Sequence, residues 1–257
     1  MLLLSPRHTS GDTQQQSDWK PRDNIKALTF DTGGTILDWH SGISAKLAEI
    51  GKARNVEADW TAITNEYRIE SLIGMTSGAE DFSPDFNIED VHREKIQSVI
   101  ESNGISGFTD TDFDAVRDAW HSLQCWPDAP GCLARLRSNH ITASLTILSV
   151  RLIVDTCKSA GIVWDAVISC EMMGVYKTRK RSYLKAAEWL QLDPSECLMV
   201  AAHNLDLAAA ANAGYKTAFV NRPNEFGVPG KPDFMKNDHT PDITADDFDD
   251  LANQLGC

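Results

Sequence analysis

The chain has no hydrophobic run long enough to cross a membrane. Its opening Met1-Leu2-Leu3-Leu4 gives way at once to Ser5-Pro6-Arg7, too short for the apolar stretch of a secretory signal. Positive charge is scarce: 24 Lys and Arg stand against 37 Asp and Glu, a net charge of −13. That balance repels a phosphate backbone and an anionic lipid surface, so neither nucleic acid nor membrane is expected as a partner. The six cysteines form no C-x-x-C pair, and in a chain of 257 residues they read as reduced thiols of a cytoplasmic protein rather than a disulfide frame. There is no G-x-G-x-x-G, no H-E-x-x-H and no internal repeat. With 42% hydrophobic and 24% charged residues, the composition suits one large globular domain, or a domain with an insertion.

Residues 5–24, rich in Ser, Gln, Asp and Pro, have too little apolar periodicity to pack, and the first 24 residues are expected to be a mobile tail. A short apolar run, Ile25 to Phe30, then delivers Asp31 into a Gly33-Gly34 turn. From about Ser41 to Gln124 apolar residues recur at helical spacing, as in Ile43, Leu47 and Ile50, with a break over Gly78 to Asn87. Beyond Trp126-Pro127-Asp128 strands and helices alternate. Strands are expected at 141–145, 166–169, 198–201 and 217–220, helices at 150–159, 182–190 and 205–213, a long loop over 222–240 and a closing helix over 246–255. Repeated strand–helix units imply a doubly wound parallel α/β sheet. The expected division is a core of residues 25–40 and 125–257, interrupted by a helical cap of 41–124.

In such a sheet ligands bind at the carboxyl ends of the strands. Four polar residues fall there: Asp31, Thr146, Lys177 and Asp206. Any one alone reads as a turn or a helix cap. All four in this order, with Gly33-Gly34-Thr35 after the first, resemble the haloacid dehalogenase superfamily over about Ile25 to Leu255. Phe30-Asp31-Thr32-Gly33-Gly34-Thr35 is similar to its first motif, and Thr146, Lys177 and Asp206 to the second, third and fourth.

Within that superfamily the chain is most similar to the type II 2-haloacid dehalogenases. Phosphatase members carry a general acid two positions after the nucleophile, where this chain has Gly33. A halide leaving group needs no proton. Tyr67-Arg68 is similar to the aromatic–Arg pair that cradles the departing halide. Val91-His92-Arg93 resembles a further stretch typical of the group.

The resemblance implies the Rossmann-like core with its inserted helical cap, a homodimer, no metal or other cofactor, and a small 2-halocarboxylate as substrate. It casts Asp31 as nucleophile, Arg68 as halide ligand, Lys177 as the cation holding Asp31 ionised and Thr146 as a hydrogen-bonding group. Asp206 would orient Lys177 and help activate water, and Thr32, Gly33, Tyr67, Ile147 and His203 would contact substrate. In the second motif Ile147 stands where the family has Asn, and an alternative alignment gives Ser149 the place of Thr146. A magnesium-dependent phosphatase and a non-catalytic binding protein on the same core are the other readings.

Overall fold

The computed structural model describes residues 24–76, 86–227 and 238–257. Six strands, β1 (Ala27–Phe30), β2 (Ile141–Thr146), β3 (Ala166–Ser169), β4 (Cys197–Ala201), β5 (Lys216–Val220) and β6 (Ile243–Ala245), form one sheet. The order is β3-β2-β1-β4-β5-β6 and every pairing is parallel. Ala27 of β1 lies opposite Ile141 on one side and Cys197 on the other. All residues of β1 and β4 are buried, which is why both read as apolar runs with little alternation. The strand order reverses between β1 and β4, and at that switch point an open α/β sheet leaves a crevice beyond its carboxyl ends.

Helices α1 (Trp39–Arg54), α2 (Trp60–Thr76), α3 (Ile88–Ser102) and α4 (Asp110–Ala119) lie between β1 and β2 in the chain and pack on one another in succession. The apolar positions at helical spacing are the buried ones: Ile43, Leu47 and Ile50 on α1, Ile96, Val99 and Ile100 on α3. A 3₁₀ turn at 120–122 then rests against α6 (Val150–Ala160) of the sheet layer. Helix α6 starts where Ser149 Oγ accepts the Leu152 N–H at 3.0 Å and stops at Gly161, left-handed at φ 70°. The remaining helices are α5 (Ala129–Arg137), α7 (Cys170–Met173), α8 (Lys180–Trp189), α9 (Asn204–Asn212) and α10 (Phe248–Leu255). No helix among the described residues is long and apolar enough to cross a membrane.

Strand β6, helix α5 and the single-turn helix α7 escape the sequence reading. Strand β6 is only three residues long and follows a polar stretch, so it carries no periodic signal. It forms because Ile243 to Ala245 align with Ala218 to Val220, while the Asp242 carboxylate accepts the Thr217 N–H at 2.9 Å. Helix α5 begins with Ala129-Pro130-Gly131, and the Pro in its first turn is compatible with a helix start. The expected tail, apart from Asn24, lies outside the described residues, as does most of the Gly78–Asn87 break and the middle of the 222–240 loop.

Candidate active site

Asp31 is the first residue beyond β1, and its N–H extends the pairing to Val200 O at 3.0 Å. Its two carboxylate oxygens are held from different elements. Oδ1 accepts from Lys177 Nζ at 3.0 Å, and Oδ2 accepts from Thr35 Oγ1 at 2.7 Å with His203 Nδ1 at 3.3 Å. Thr35 is fixed in turn because its Oγ1 accepts the Ala202 N–H at 2.9 Å. Lys177 Nζ also donates to Leu145 O at 2.8 Å and pairs with Asp206 Oδ2 at 2.7 Å. Asp206, in the first turn of α9, receives the Tyr183 hydroxyl on Oδ1. His203 occupies the residue just before that helix and pairs through Nε2 with Glu225 Oε1 at 2.7 Å.

Asp31, Lys177, His203, Asp206 and Arg68 are only 3% to 8% exposed, so each charge must be balanced inside the protein. Burial alone would raise the Asp31 carboxyl, but Lys177, His203 and Thr35 outweigh it and hold it well below the usual carboxylate range. Burial would likewise lower Lys177, and the two carboxylates reverse that and raise it. For His203 burial is again opposed, by Glu225 and Asp31, and its pKa rises to about 9. Asp206 is shifted upward by burial and by Asp31, against the pull of Lys177. At neutral pH the cluster is an ionised Asp31 between two cations.

Arg68 projects from α2 toward the same point. No ion pair or hydrogen bond reaches its Nη1 among the described residues. Its guanidinium lies 5.5 Å from the Trp39 ring centre and 5.4 Å from that of Trp120. A Cβ at Gly33 would stand 3.0 Å from Arg68 Nη2, so the bare glycine is what lets the cation come down beside Asp31. Between them is a cavity of about 110 Å³ lined by Asp31, Gly33, Arg68, Lys177, His203 and Asp206 and by Leu72, Ile73, Ile147, Thr178 and Leu205.

Three residues assigned to the site from sequence are placed elsewhere. Tyr67 is fully buried with its hydroxyl turned to His92 Nδ1 at 2.7 Å and Trp120 Nε1 at 2.8 Å, away from the cavity. Thr32 and Thr146 bond each other, Oγ1 to Oγ1 at 2.6 Å, and Thr146 also accepts the Leu148 N–H at 3.1 Å. Thr146 therefore braces the turn behind Asp31 rather than bonding the carboxylate. Ser149 caps α6 and donates to Glu89 Oε1 at 2.6 Å. Glu225, Trp39 and Tyr183 were not foreseen. Glu225 sits in the expected loop, where nothing in Arg222-Pro223-Asn224-Glu225 marks it. Thr35 stands in the motif itself and its hydroxyl could have been read as a partner of Asp31.

A doubly wound sheet with an aspartate beyond its first strand, a lysine bridging it to a second aspartate, and a helical insertion supplying an arginine defines a class of hydrolase. The chain belongs to the haloacid dehalogenase-like hydrolases, whose family model matches residues 25–214. It is 30% identical over 203 residues to the (S)-2-haloacid dehalogenase of Xanthobacter autotrophicus, covering 77% of this chain and 76% of that one. It is 27% identical over 216 residues to (S)-2-haloacid dehalogenase 1 of Pseudomonas sp. (strain CBS-3), covering 79% and 87%. Among solved structures, the defluorinating L-2-haloacid dehalogenase Rha0230 superposes with a TM-score of 0.82 at 34% identity, over 91% of this chain and 96% of that one. The L-2-haloacid dehalogenase PA0810 superposes with a TM-score of 0.81 at 28% identity, over 90% and 99%.

Proposed function

We propose that this protein hydrolyses the carbon–halogen bond of small 2-halocarboxylic acids to give 2-hydroxy acids. The observation that carries this reading is Arg68, a buried cation whose Nη1 meets no hydrogen-bond partner among the described residues, facing the Asp31 carboxylate across a small, largely apolar cavity. Such a site has a place for one anion that appears during reaction, and the dehalogenase relatives support its being a halide.

Asp31 attacks the halogen-bearing carbon from the side opposite the halogen. The carbon–halogen bond breaks, its electron pair leaves with the halide, and an ester joins Asp31 to the substrate carbon. Arg68 stabilises the charge that develops on the halogen, an interaction stronger in the transition state than before it. Lys177 keeps Asp31 ionised and aimed. Thr35 and the braced Thr32–Thr146 pair fix the turn around it.

Water then attacks the ester carbonyl of Asp31 and the hydroxy acid departs on the cleaved bond, regenerating the carboxylate. His203 is the base in this reading. While Asp31 is ionised, two carboxylates hold the imidazole in its protonated form. Esterification removes one of those charges, so Nδ1 can release its proton to solvent, take one from the attacking water and pass it to the alkoxide oxygen of the departing hydroxy acid. Glu225 keeps Nε2 in place throughout. Asp206, occupied by Lys177 and Tyr183, orients the ammonium.

A magnesium-dependent phosphatase needs an acid for the leaving alkoxide, and position 33 has none. The guanidinium standing where a side chain would begin leaves no room for one. The deciding assay is halide release from each enantiomer of 2-chloropropionate with a chelator present, beside phosphate-ester hydrolysis with magnesium. Halide release that survives chelation is expected. Phosphate release that depends strictly on magnesium, without halide release, would transfer the chain to the phosphatases, and neither activity would make it a binding protein. The same reading divides the chain into a core of residues 25–40 and 125–257 and a cap of 41–124, in a cytoplasmic homodimer, and light scattering of the purified protein tests the dimer.

A further inference from the structure

Among the described residues Arg68 lies against two ring faces, with the Glu225 and Asp31 carboxylates near it but its Nη1 unbonded, and each ring is itself pinned. Trp120 Nε1 donates to Tyr67 Oη at 2.8 Å, which leaves the tyrosine proton for His92 Nδ1 at 2.7 Å. The His92 ring then stacks on Trp120, centroids 4.2 Å apart and planes within 21°. On the other side Trp39 Nε1 donates to Glu225 Oε1 at 3.3 Å. Both indoles thus spend their N–H on a fixed acceptor while the guanidinium lies over their rings. Trp39, Tyr67, His92 and Trp120 are all buried.

We propose that Tyr67, His92 and Trp120, with Trp39 opposite, form a positioning frame that holds Arg68 in place without neutralising it, and so set the site's affinity for the leaving anion. The inference rests on the dehalogenase reading, which makes Arg68 the group that meets the halide. An ion pair would fix the guanidinium equally well but would occupy it. An aromatic face attracts the cation through the ring quadrupole and leaves its N–H edge available. The frame also requires His92 to be neutral, because Nδ1 must accept the tyrosine proton. Burial and the nearby Arg68 both push the imidazole well below its ordinary pKa and keep it so. Tyr67 and Trp120 act through Arg68 and are positioning residues.

Sodium chloride is the probe. Excess chlorine NMR line width, titrated against the full chain, gives a chloride affinity without relying on turnover. Tyr67→Phe keeps its ring and removes both hydrogen bonds of the pinning chain, and Trp120→Phe keeps an aromatic face but removes the N–H that ties it to Tyr67. Each is expected to weaken chloride binding by up to roughly tenfold, the upper bound set by full loss of one desolvated cation–π contact when the ring is no longer pinned. Each should also slow ester formation while the hydrolysis rate of ester already formed stays unchanged, a split that general loosening of the fold would not produce. Urea unfolding identifies any variant that fails to fold, and the other then carries the test. Both variants folded and binding chloride within about twofold of the native protein, while Arg68→Leu abolishes binding, would overturn the frame and leave the dehalogenase reading intact. Undiminished chloride binding by Arg68→Leu would overturn both.

Discussion

Replacing Glu225 with Gln removes one of the two carboxylates facing His203 while keeping a side chain of the same shape that still accepts hydrogen bonds. In the native site burial opposes the imidazolium, and Glu225 first, then Asp31, outweigh it to lift the His203 pKa from 6.5 to about 9. A rise of that size is equivalent to about 3 kcal/mol of proton-linked stability. Because the folded-state value lies above the unfolded one, this stability is fully present below about pH 6.5 and is lost as the pH rises through about 9. In Glu225→Gln only Asp31 remains to oppose burial. The imidazole should then titrate well below 9, and the alkaline loss of stability should shrink and move to lower pH. Urea unfolding at a series of pH values, with His203 followed by imidazole NMR, measures both quantities. His203 titrating near 9 in Glu225→Gln, or an unchanged alkaline slope in stability, would refute the pairing as the source of the shift.

Other perturbations separate the remaining roles. Lys177→Met leaves the Asp31 and Asp206 carboxylates buried without their shared cation, and a loss of roughly 3–5 kcal/mol in urea unfolding is expected, together with loss of ester formation. Unaltered stability would show the ammonium to be dispensable. Gly33→Ala places a methyl against Arg68 Nη2 and should slow halide release at least tenfold, roughly one to two kcal/mol of displaced cation, with little change in the urea midpoint. Activity equal to the native enzyme would mean that Arg68 is free to move aside. Thr146→Val strands the Leu148 N–H and the Thr32 hydroxyl, at a cost of about 1–3 kcal/mol in stability. Because Thr146 does not bond Asp31, the folded variant should keep most of its halide release, and complete inactivation would contradict its bracing role.

The α/β alternation was legible because strands such as Leu198–Ala201 are short apolar runs bounded by polar residues, and because Gly161 and Gly214 punctuate the helices. The pairing of Asp31, Lys177 and Asp206 was legible only through their order at strand ends. Their mutual distances come from the topology, which places β1 directly beside β4. What escaped depends on long-range contact. Glu225 reaches His203 and Trp39 from a segment with no pattern of its own, and its carboxylate fills the space that a side chain at Gly34 would need. Tyr67 shows a different limit of the sequence. Adjacent to Arg68 in sequence, it points elsewhere because neighbours on a helix are about 100° apart, so one faces the cavity while the other faces His92 and Trp120. A polar residue at a strand end likewise need not touch the ligand, as the Thr32–Thr146 bond shows.

The measurement that bears most directly on the central claim is the fate of solvent oxygen in one turnover. With enzyme in excess over a 2-chlorocarboxylate in heavy-oxygen water, the nucleophilic role of Asp31 requires the hydroxyl of the first product to come from its carboxylate. The label should therefore appear in the peptide containing Asp31 and be absent from the hydroxy acid. Asp31→Asn should release no halide. Heavy oxygen in the first-turnover product, with none in the Asp31 peptide, would mean that water attacks the substrate directly and would contradict the covalent mechanism even if halide were released.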